Sequence, residues 1–291
     1  MTHPRSPKQE DGETDIPRLP RPPAIKEFQA AVLDYYRGHG RDLAWRKTTD
    51  PYGIFISEIM LQQTQVSRVT EKYPEFIAAF PDFSSLAGSP LANVLAAWQG
   101  MGYNRRAISL HKSARLVIEE YNGVLPQDPE ILVTFPGIGK ATAASICAFA
   151  FNMPVVFIET NIRRVFIHFF FGDSETVEDN RILPLATKAL YRKDPRTWYN
   201  ALMDLGTDLK TTVENPNRRS RHYTKQAVFE GSDRKIRGSI IRVLLAEGQM
   251  TREAIVKTLS EEQSRIIRIL EDLEREGFIA RSAEFFMIES R

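Results

Sequence analysis

FPGIGKAT, residues 135–142, followed by AASICAFAF, is the stretch whose reading decides the fold. Gly137 and Gly139 flank Ile138 in a tight turn immediately before a helix. Glycine permits the φ values and close backbone approach that such a turn needs. The backbone N–H groups of the turn and the N-terminus of the following helix make an anion site that a phosphate fits without a side-chain charge. Lys140 and Thr142 stand beside it at the start of the helix. By itself PGxG also fits an ordinary helix–helix turn, so its surroundings have to decide.

Outward from this turn the pattern is helical. Ile25, Phe28, Val32, Leu33 and Tyr36 recur at helical spacing, and Asp50-Pro51 opens a second helix with proline suited to its first turn. Gly and Pro punctuation continues through about residue 211 with no convincing alternating strand. Residues 1–23 hold six prolines and many charges and read as a disordered leader. Residues 24–212 read as one all-α, two-lobed domain, residues 213–231 as a basic linker, and residues 232–291 as a small separate unit. Between Lys210 and Arg242 there are nine Lys/Arg against three acids, and NPNRRSRHY in that stretch resembles a loop. A solvated linker and a phosphate-contacting loop through Arg218, Arg219 and Arg221 both fit. In the last unit Ile240, Val243 and Leu244 mark a helix. Thr251 is placed to cap a short second one, and Ile266, Ile269, Leu270 and Leu273 mark a third that Gly277 ends. FIARSAEFFMI then reads as a β-hairpin, which gives a winged-helix-like module. Such modules bind DNA, but the third helix is rich in Glu, and a protein-contact role stays open beside it.

Composition excludes several classes. The one cysteine, Cys147, sits in an apolar run, so there is neither a disulfide framework nor a multi-cysteine metal or cluster site. No apolar run reaches the roughly 18 residues needed to span a bilayer, and the charged N-terminus is no secretory signal. The reading is a monomeric intracellular protein without a membrane partner, nucleoid-associated when bound to DNA. The net charge of +2 permits nucleic acid without demanding it.

Glu58 lies in IFISEIML among large apolar residues. A carboxyl there either has a partner or is driven toward neutrality. A structural ion pair and a proton donor working at neutral pH both follow from that. Glu159 opens ETNIRRV after VVFI, where an acid is commonly a charge favoured by the helix dipole.

Taken together, these segments resemble the helix-hairpin-helix (HhH-GPD) DNA glycosylase superfamily over roughly residues 25–212, and within it the MutY-like adenine glycosylases. FPGIGKAT matches the hairpin, which implies DNA-phosphate binding by Gly137, Ile138, Gly139, Lys140 and Thr142. SEIMLQQTQV, residues 57–66, matches the family's catalytic helix. The resemblance gives Glu58 the protonation of the adenine ring and Gln63 the filling of the gap left by a flipped base, whereas from the residues alone Gln63 is a helix-surface amide. Glu159 falls where the family has an essential Asp that stabilises the sugar cation, with Asn161 as the polar residue that follows. GMGYNRR, residues 100–106, resembles GLGYYAR and gives Tyr103 the role of an aromatic wedge, against a core tyrosine otherwise. Trp45-Arg46 resembles a structural LPWR segment, and MDLGTDLK, residues 203–210, the segment before the cluster of relatives.

The departures are as informative. Relatives follow MDLG with four cysteines holding a [4Fe–4S] cluster, but here Lys210 takes the first place and a basic loop follows. A monovalent cation at the hairpin turn is the one inorganic ligand that remains in view. Bifunctional relatives carry a lysine where this chain has Ala141, and Lys140 would point about 100° away around a helix, so no strong β-lyase activity is expected. Glu159 for Asp keeps the charge but moves it by more than about 1 Å unless the backbone retreats. The winged-helix-like module stands where adenine glycosylases carry the domain that reads 8-oxoguanine. The substrate implied is double-stranded DNA with a mismatched or damaged base, and a protein partner for the module is open. Three readings follow: a monofunctional glycosylase releasing adenine opposite guanine or 8-oxoguanine, a thymine or uracil glycosylase for G·T and G·U, and a non-catalytic DNA-binding factor.

Overall fold

In the computed structural model of the chain, residues 15–172, 176–223 and 231–289 are described. In chain order the elements are α1 (Ile25–His39), a 3-10 turn (Ala44–Arg46), α2 (Pro51–Leu61), α3 (Val66–Ala79), α4 (Phe83–Gly88), α5 (Leu91–Ala97) and α6 (Arg105–Tyr121). Then come α7 (Pro129–Leu132), α8 (Lys140–Phe151), α9 (Thr160–Phe170), α10 (Asp179–Ala189), α11 (Pro195–Thr212) and a 3-10 turn (Pro216–Arg219). The chain ends with α12 (Asp233–Glu247), β1 (Gln249–Thr251), α13 (Arg252–Leu259), α14 (Gln263–Arg275), β2 (Ile279–Ser282) and β3 (Phe285–Ile288). The fold is mainly helical with a small C-terminal sheet, as the apolar periodicity implied.

Two discontinuous units divide the chain. The first takes Met1–Arg41 with Pro154–Thr224, the second Asp42–Met153 with Lys225–Arg291. These boundaries cut across those read from the sequence, because they depend on which helices bury one another's faces and not on chain order.

In the first unit α1, α9, α10 and α11 surround an aromatic core. Phe28 is fully buried and meets Phe166 at 5.5 Å and Trp198 edge-on at 5.8 Å. Phe28 and Val32 are buried as their spacing requires, but Tyr35 is buried where the pattern pointed to Tyr36. MDLG explains itself here: a Cβ on Gly206 would sit 2.4 Å from the Asn161 carbonyl oxygen, so only glycine lets α11 lie this close to α9. Buried Asp204 accepts from the Arg41 backbone N–H at 2.9 Å and from its Nε at 2.6 Å. The leader reading needs correcting in part. Residues 1–14 lie outside the described residues, but residues 15–23 lie on this unit, with Ile16 and Pro23 buried and Asp15 3.2 Å from His39. A proline-rich average had hidden one large apolar side chain.

In the second unit α2 packs on α8 and α4 on α6, around fully buried Phe55, Met60, Phe76, Leu86 and Trp98. Asp50 caps α2 by accepting from the Tyr52 and Gly53 N–H groups, with Pro51 in the first turn. The C-terminal module belongs to this unit. Its core is Ile240, Leu244, Ile266, Ile269, Leu270, Leu273 and Phe278. Thr251 caps α13 through the Ala254 N–H at 3.2 Å, and Gly277, with φ +78°, follows the end of α14. The hairpin β2–β3 is present, and β1 adds a third antiparallel strand in the order β1-β3-β2. At three residues β1 is too short for alternation to announce it.

Candidate active site

Glu58 sits on α2, whose other residues from Tyr52 to Met60 are buried, and is itself half-buried. The Ser145 hydroxyl on α8 donates to Glu58 Oε2 at 2.6 Å. Ser145 Oγ also lies 3.0 Å from the Thr142 carbonyl. A hydroxyl has one proton and can also accept, so Ser145 can serve Glu58 in either protonation state: it donates to the carboxylate, or it accepts from the acid while donating to Thr142. An apolar helix thus holds one carboxyl with a partner suited to gaining and losing a proton. Ser145 was not picked out in the sequence, where it is one small residue in ASICAFAF.

The hairpin follows its reading. Gly137 has φ +76°, and a Cβ there would meet Ser109 Cβ at 2.9 Å, so both the turn and the packing require glycine. Phe135 and Ile138 are buried anchors, while Gly139, which precedes α8, and Lys140 are exposed. The first N–H groups of α8 have no partners within the helix, as in any helix, and this N-terminus faces solvent beside a cation. Gln62, at the end of α2, donates to the Gly137 carbonyl and to Thr142 Oγ1, both at 3.3 Å, and so ties the helix of Glu58 to the turn.

Two candidate wedge residues share a backbone peculiarity. Gln63 has φ +54° and Tyr103 φ +47°. For residues other than Gly, Asn or Asp this conformation costs on the order of 1–3 kcal/mol and persists only where the surroundings impose it. Here one side chain imposes it. Buried Arg106 donates to the carbonyls of Ile59 (3.1 Å), Met60 (2.7 Å) and Gln62 (2.7 Å), to Thr64 Oγ1 (2.9 Å), and to the carbonyls of Met101 (3.2 Å) and Gly102 (3.0 Å). It closes the C-terminal end of α2 and binds the Gln63 turn and the Tyr103 turn to one guanidinium. Burial pulls its pKa down to about 10, which leaves it charged at neutral pH. Gln63 is exposed and Tyr103 half-buried, so the reading of Tyr103 as a core residue does not hold.

In the other unit Glu159 is the N-cap of α9, and its Oε1 accepts from the Asn161 N–H at 2.6 Å and the Ile162 N–H at 3.0 Å. The longer side chain therefore still reaches back to the helix end. Its pKa is raised: burial outweighs the two N–H donors and the nearby Arg164 and Arg163. Asn161 accepts from Arg164 at 2.7 Å, and Arg164 in turn donates to the Gly206 carbonyl and to Asn215 Oδ1 at 3.0 Å.

The basic loop is folded onto α9. The Asn217 amide donates to the Thr160 carbonyl at 2.8 Å, and Val177 and Ser220 form a parallel bridge. Arg219 donates to the carbonyls of Ile167, Phe171 and Gly172. It closes the C-terminal end of α9, a role for which its neighbours in sequence gave no sign. Arg218 and Arg221 are exposed, paired with Glu214 and Glu178. A four-thiolate cluster does not fit this chain. Cys147 is buried in α8, where burial pushes its thiol up to about 11, and among the described residues no group of three or more His, Cys, Asp or Glu could hold a metal ion.

Comparison with known proteins bears on this arrangement. The profile of the HhH-GPD superfamily of base excision DNA repair proteins matches residues 56–262. The adenine DNA glycosylase of Mycobacterium tuberculosis (strain H37Rv) is 32% identical over 281 residues, covering 87% of this chain and 90% of that protein. That of Buchnera aphidicola subsp. Baizongia pistaciae is 36% identical over 184 residues, covering 62% of this chain and 52% of its own. Among solved structures, a thermostable thymine-DNA glycosylase superposes with a TM-score of 0.61 at 28% identity, over 67% of this chain and 91% of the other. No helix among the described residues is long and apolar enough to cross a membrane.

Proposed function

The chain belongs to the HhH-GPD superfamily of base excision DNA repair proteins, and on that basis we propose that it is a monofunctional DNA glycosylase releasing adenine mispaired with guanine or 8-oxoguanine. The observation that carries the proposal is Glu58, held by Ser145 in an otherwise apolar helix. The adenine preference is supported by the adenine DNA glycosylases that align with nearly the whole chain.

In the proposed reaction the target nucleotide is flipped out of the duplex, with Tyr103 and Gln63 entering the stack. Glu58 donates its proton to the adenine ring. The glycosidic C1′–N9 bond breaks, its electron pair leaves with the base, and the sugar becomes cationic. The ionised carboxylate of Glu159 stabilises that charge, and water adds at C1′ and loses a proton to leave an abasic site. The hairpin N–H groups, Lys140 and Thr142 hold backbone phosphates, with exposed Arg218 and Arg221 as further contacts. Ala141 offers no amine for a Schiff base, so strand cleavage is not part of the reaction. No step runs through a metal cluster.

The test is single-turnover base release, scored by alkaline strand cleavage, from duplexes carrying A·G, A·8-oxoG, T·G or U·G. Release of adenine alone is the expected outcome. The likeness to a thymine-DNA glycosylase favours a second reading, thymine or uracil release opposite guanine, and the same panel decides between them.

A further inference from the structure

The C-terminal module meets the segment that carries Tyr103 through side chains that the chemistry above does not explain. Arg234, in the first turn of α12, donates from Nη1 to the Tyr103 hydroxyl at 2.5 Å, and its guanidinium lies 5.3 Å from the centre of the ring. Arg106 lies 5.6 Å from the same centre, so the ring is flanked by two cations. Two residues along, Arg105 forms a two-pronged pair with Glu276, its Nε at 2.8 Å from Oε2. Arg237 of α12 donates to both oxygens of the same carboxylate. Glu276 is 18% exposed, and the two arginines hold its carboxyl below the ordinary range, Arg105 most strongly. On α14, the helix that would lie in a DNA groove, Arg265 and exposed Arg268 are paired with Asp233 of α12, at 2.6 and 2.8 Å.

We propose that the module is a brace for the base-stack wedge, and that Arg234 is a positioning residue which fixes the Tyr103 ring through its hydroxyl and π face. Glu276 bolts the brace to the loop at Arg105. Gly100, Gly102 and Tyr103 all have positive φ (+85°, +68° and +47°), and the direction of the Tyr103 ring from that turn is set by its χ angles and contacts. Arg106 holds the Met101 and Gly102 carbonyls of that turn, and Arg234 reaches the far end of the ring. An aromatic wedge inserted into a base stack gains from being held in advance, because the rotamer freedom lost on insertion has already been removed. The pairing of Arg265 and Arg268 with Asp233 argues that the module's value lies in this contact rather than in reading a groove of its own.

The inference rests on the glycosylase reading for its activity arm alone. Arg234→Met and Arg234→Lys are made in the full chain, with Tyr103→Ala and the Tyr103→Ala/Arg234→Met double variant. Arg234→Met should slow single-turnover adenine release about tenfold while DNA affinity changes less than about threefold, and Arg234→Lys should recover part of the rate. In the Tyr103→Ala background Arg234→Met should have no further effect, since Arg234 acts through the ring. Hydrogen exchange of the amides of residues 100–106 should quicken in Arg234→Met and not elsewhere in the helical part of the unit. A full effect of Arg234→Met without Tyr103, or unchanged release and exchange, overturns the proposal. If the wild-type chain releases no base, the glycosylase reading fails and exchange at residues 100–106 decides the brace by itself.

Discussion

Replacing Arg106 by methionine should damage the second unit more than any other single change of similar volume. The four N–H bonds on its two terminal nitrogens serve six oxygens, five of them backbone carbonyls. Three of these close α2, whose last carbonyls have no partner within the helix. Methionine fills the volume and supplies no donor, so the three buried carbonyls of Ile59, Met60 and Met101 go unsatisfied at ~1 kcal/mol each, while the Gly102 carbonyl keeps Trp98 Nε1 and the Gln62 carbonyl the Thr64 hydroxyl. Release of the guanidinium from burial offsets part of this, and the strained turns at Gln63 and Tyr103 lose their restraint. The net loss should be about 2–3 kcal/mol, the cost of the buried carbonyls left without a donor. For a chain of this size that corresponds to a fall in Tm of about 5 °C. Urea unfolding followed by tryptophan fluorescence reads it directly: Trp45 and Trp98 lie in the same unit as Arg106, and Trp198 reports on the other. Arg106→Lys should recover less than half, because one ammonium cannot span both ends of the fork. A loss below about 1 kcal/mol in Arg106→Met would refute the reasoning, since it would mean that water replaces the guanidinium without penalty.

Ser145→Ala should leave DNA affinity unchanged and slow base release about tenfold, the loss of one charge-assisted hydrogen bond at Glu58; an unchanged rate speaks against the pairing. Gly206→Ala should destabilise the first unit by about 2–4 kcal/mol by forcing α9 and α11 apart, which Trp198 fluorescence in urea would register. Glu159 holds its proton more tightly in the folded chain than in the unfolded one, so the first unit should lose stability as pH rises from about 4.5 through the raised value. Because the proposed reaction needs Glu159 ionised and Glu58 protonated, base release should rise with pH as Glu159 loses its proton and fall again as Glu58 loses its own, a bell-shaped profile. A rate profile with no rising limb above pH 4.5 argues that the Glu159 carboxyl is not the cation's partner.

What the sequence revealed was local. The hairpin, the capped start of α2 and the helices of the C-terminal module lie within runs of ten to twenty residues, where periodicity and capping residues speak directly. What it hid was contact between distant segments. Nothing in MDLG says that Gly206 must admit the Asn161 carbonyl. Nothing near position 106 says that this arginine closes a helix more than forty residues earlier. Arg219 was read for its charge, yet its donors are committed to the end of α9. The substitution of Glu for Asp at 159 raised a geometric concern that the structure answers in part, because the longer side chain still caps the helix. Ser145 lacked any signal at all: a serine within an apolar helix face becomes meaningful only when the carboxyl opposite it is known.

The central claim is that Glu58 is the proton donor to the departing base, and one comparison tests it most directly. Single-turnover adenine release from an A·8-oxoG duplex would be measured for the wild-type chain and for Glu58→Gln, with duplex affinity measured in parallel. The account predicts unchanged binding and a loss of release of at least about a thousandfold in Glu58→Gln, because the amide keeps the shape and has no proton to give. Release within about tenfold of wild type would contradict it and move the chemistry away from this helix.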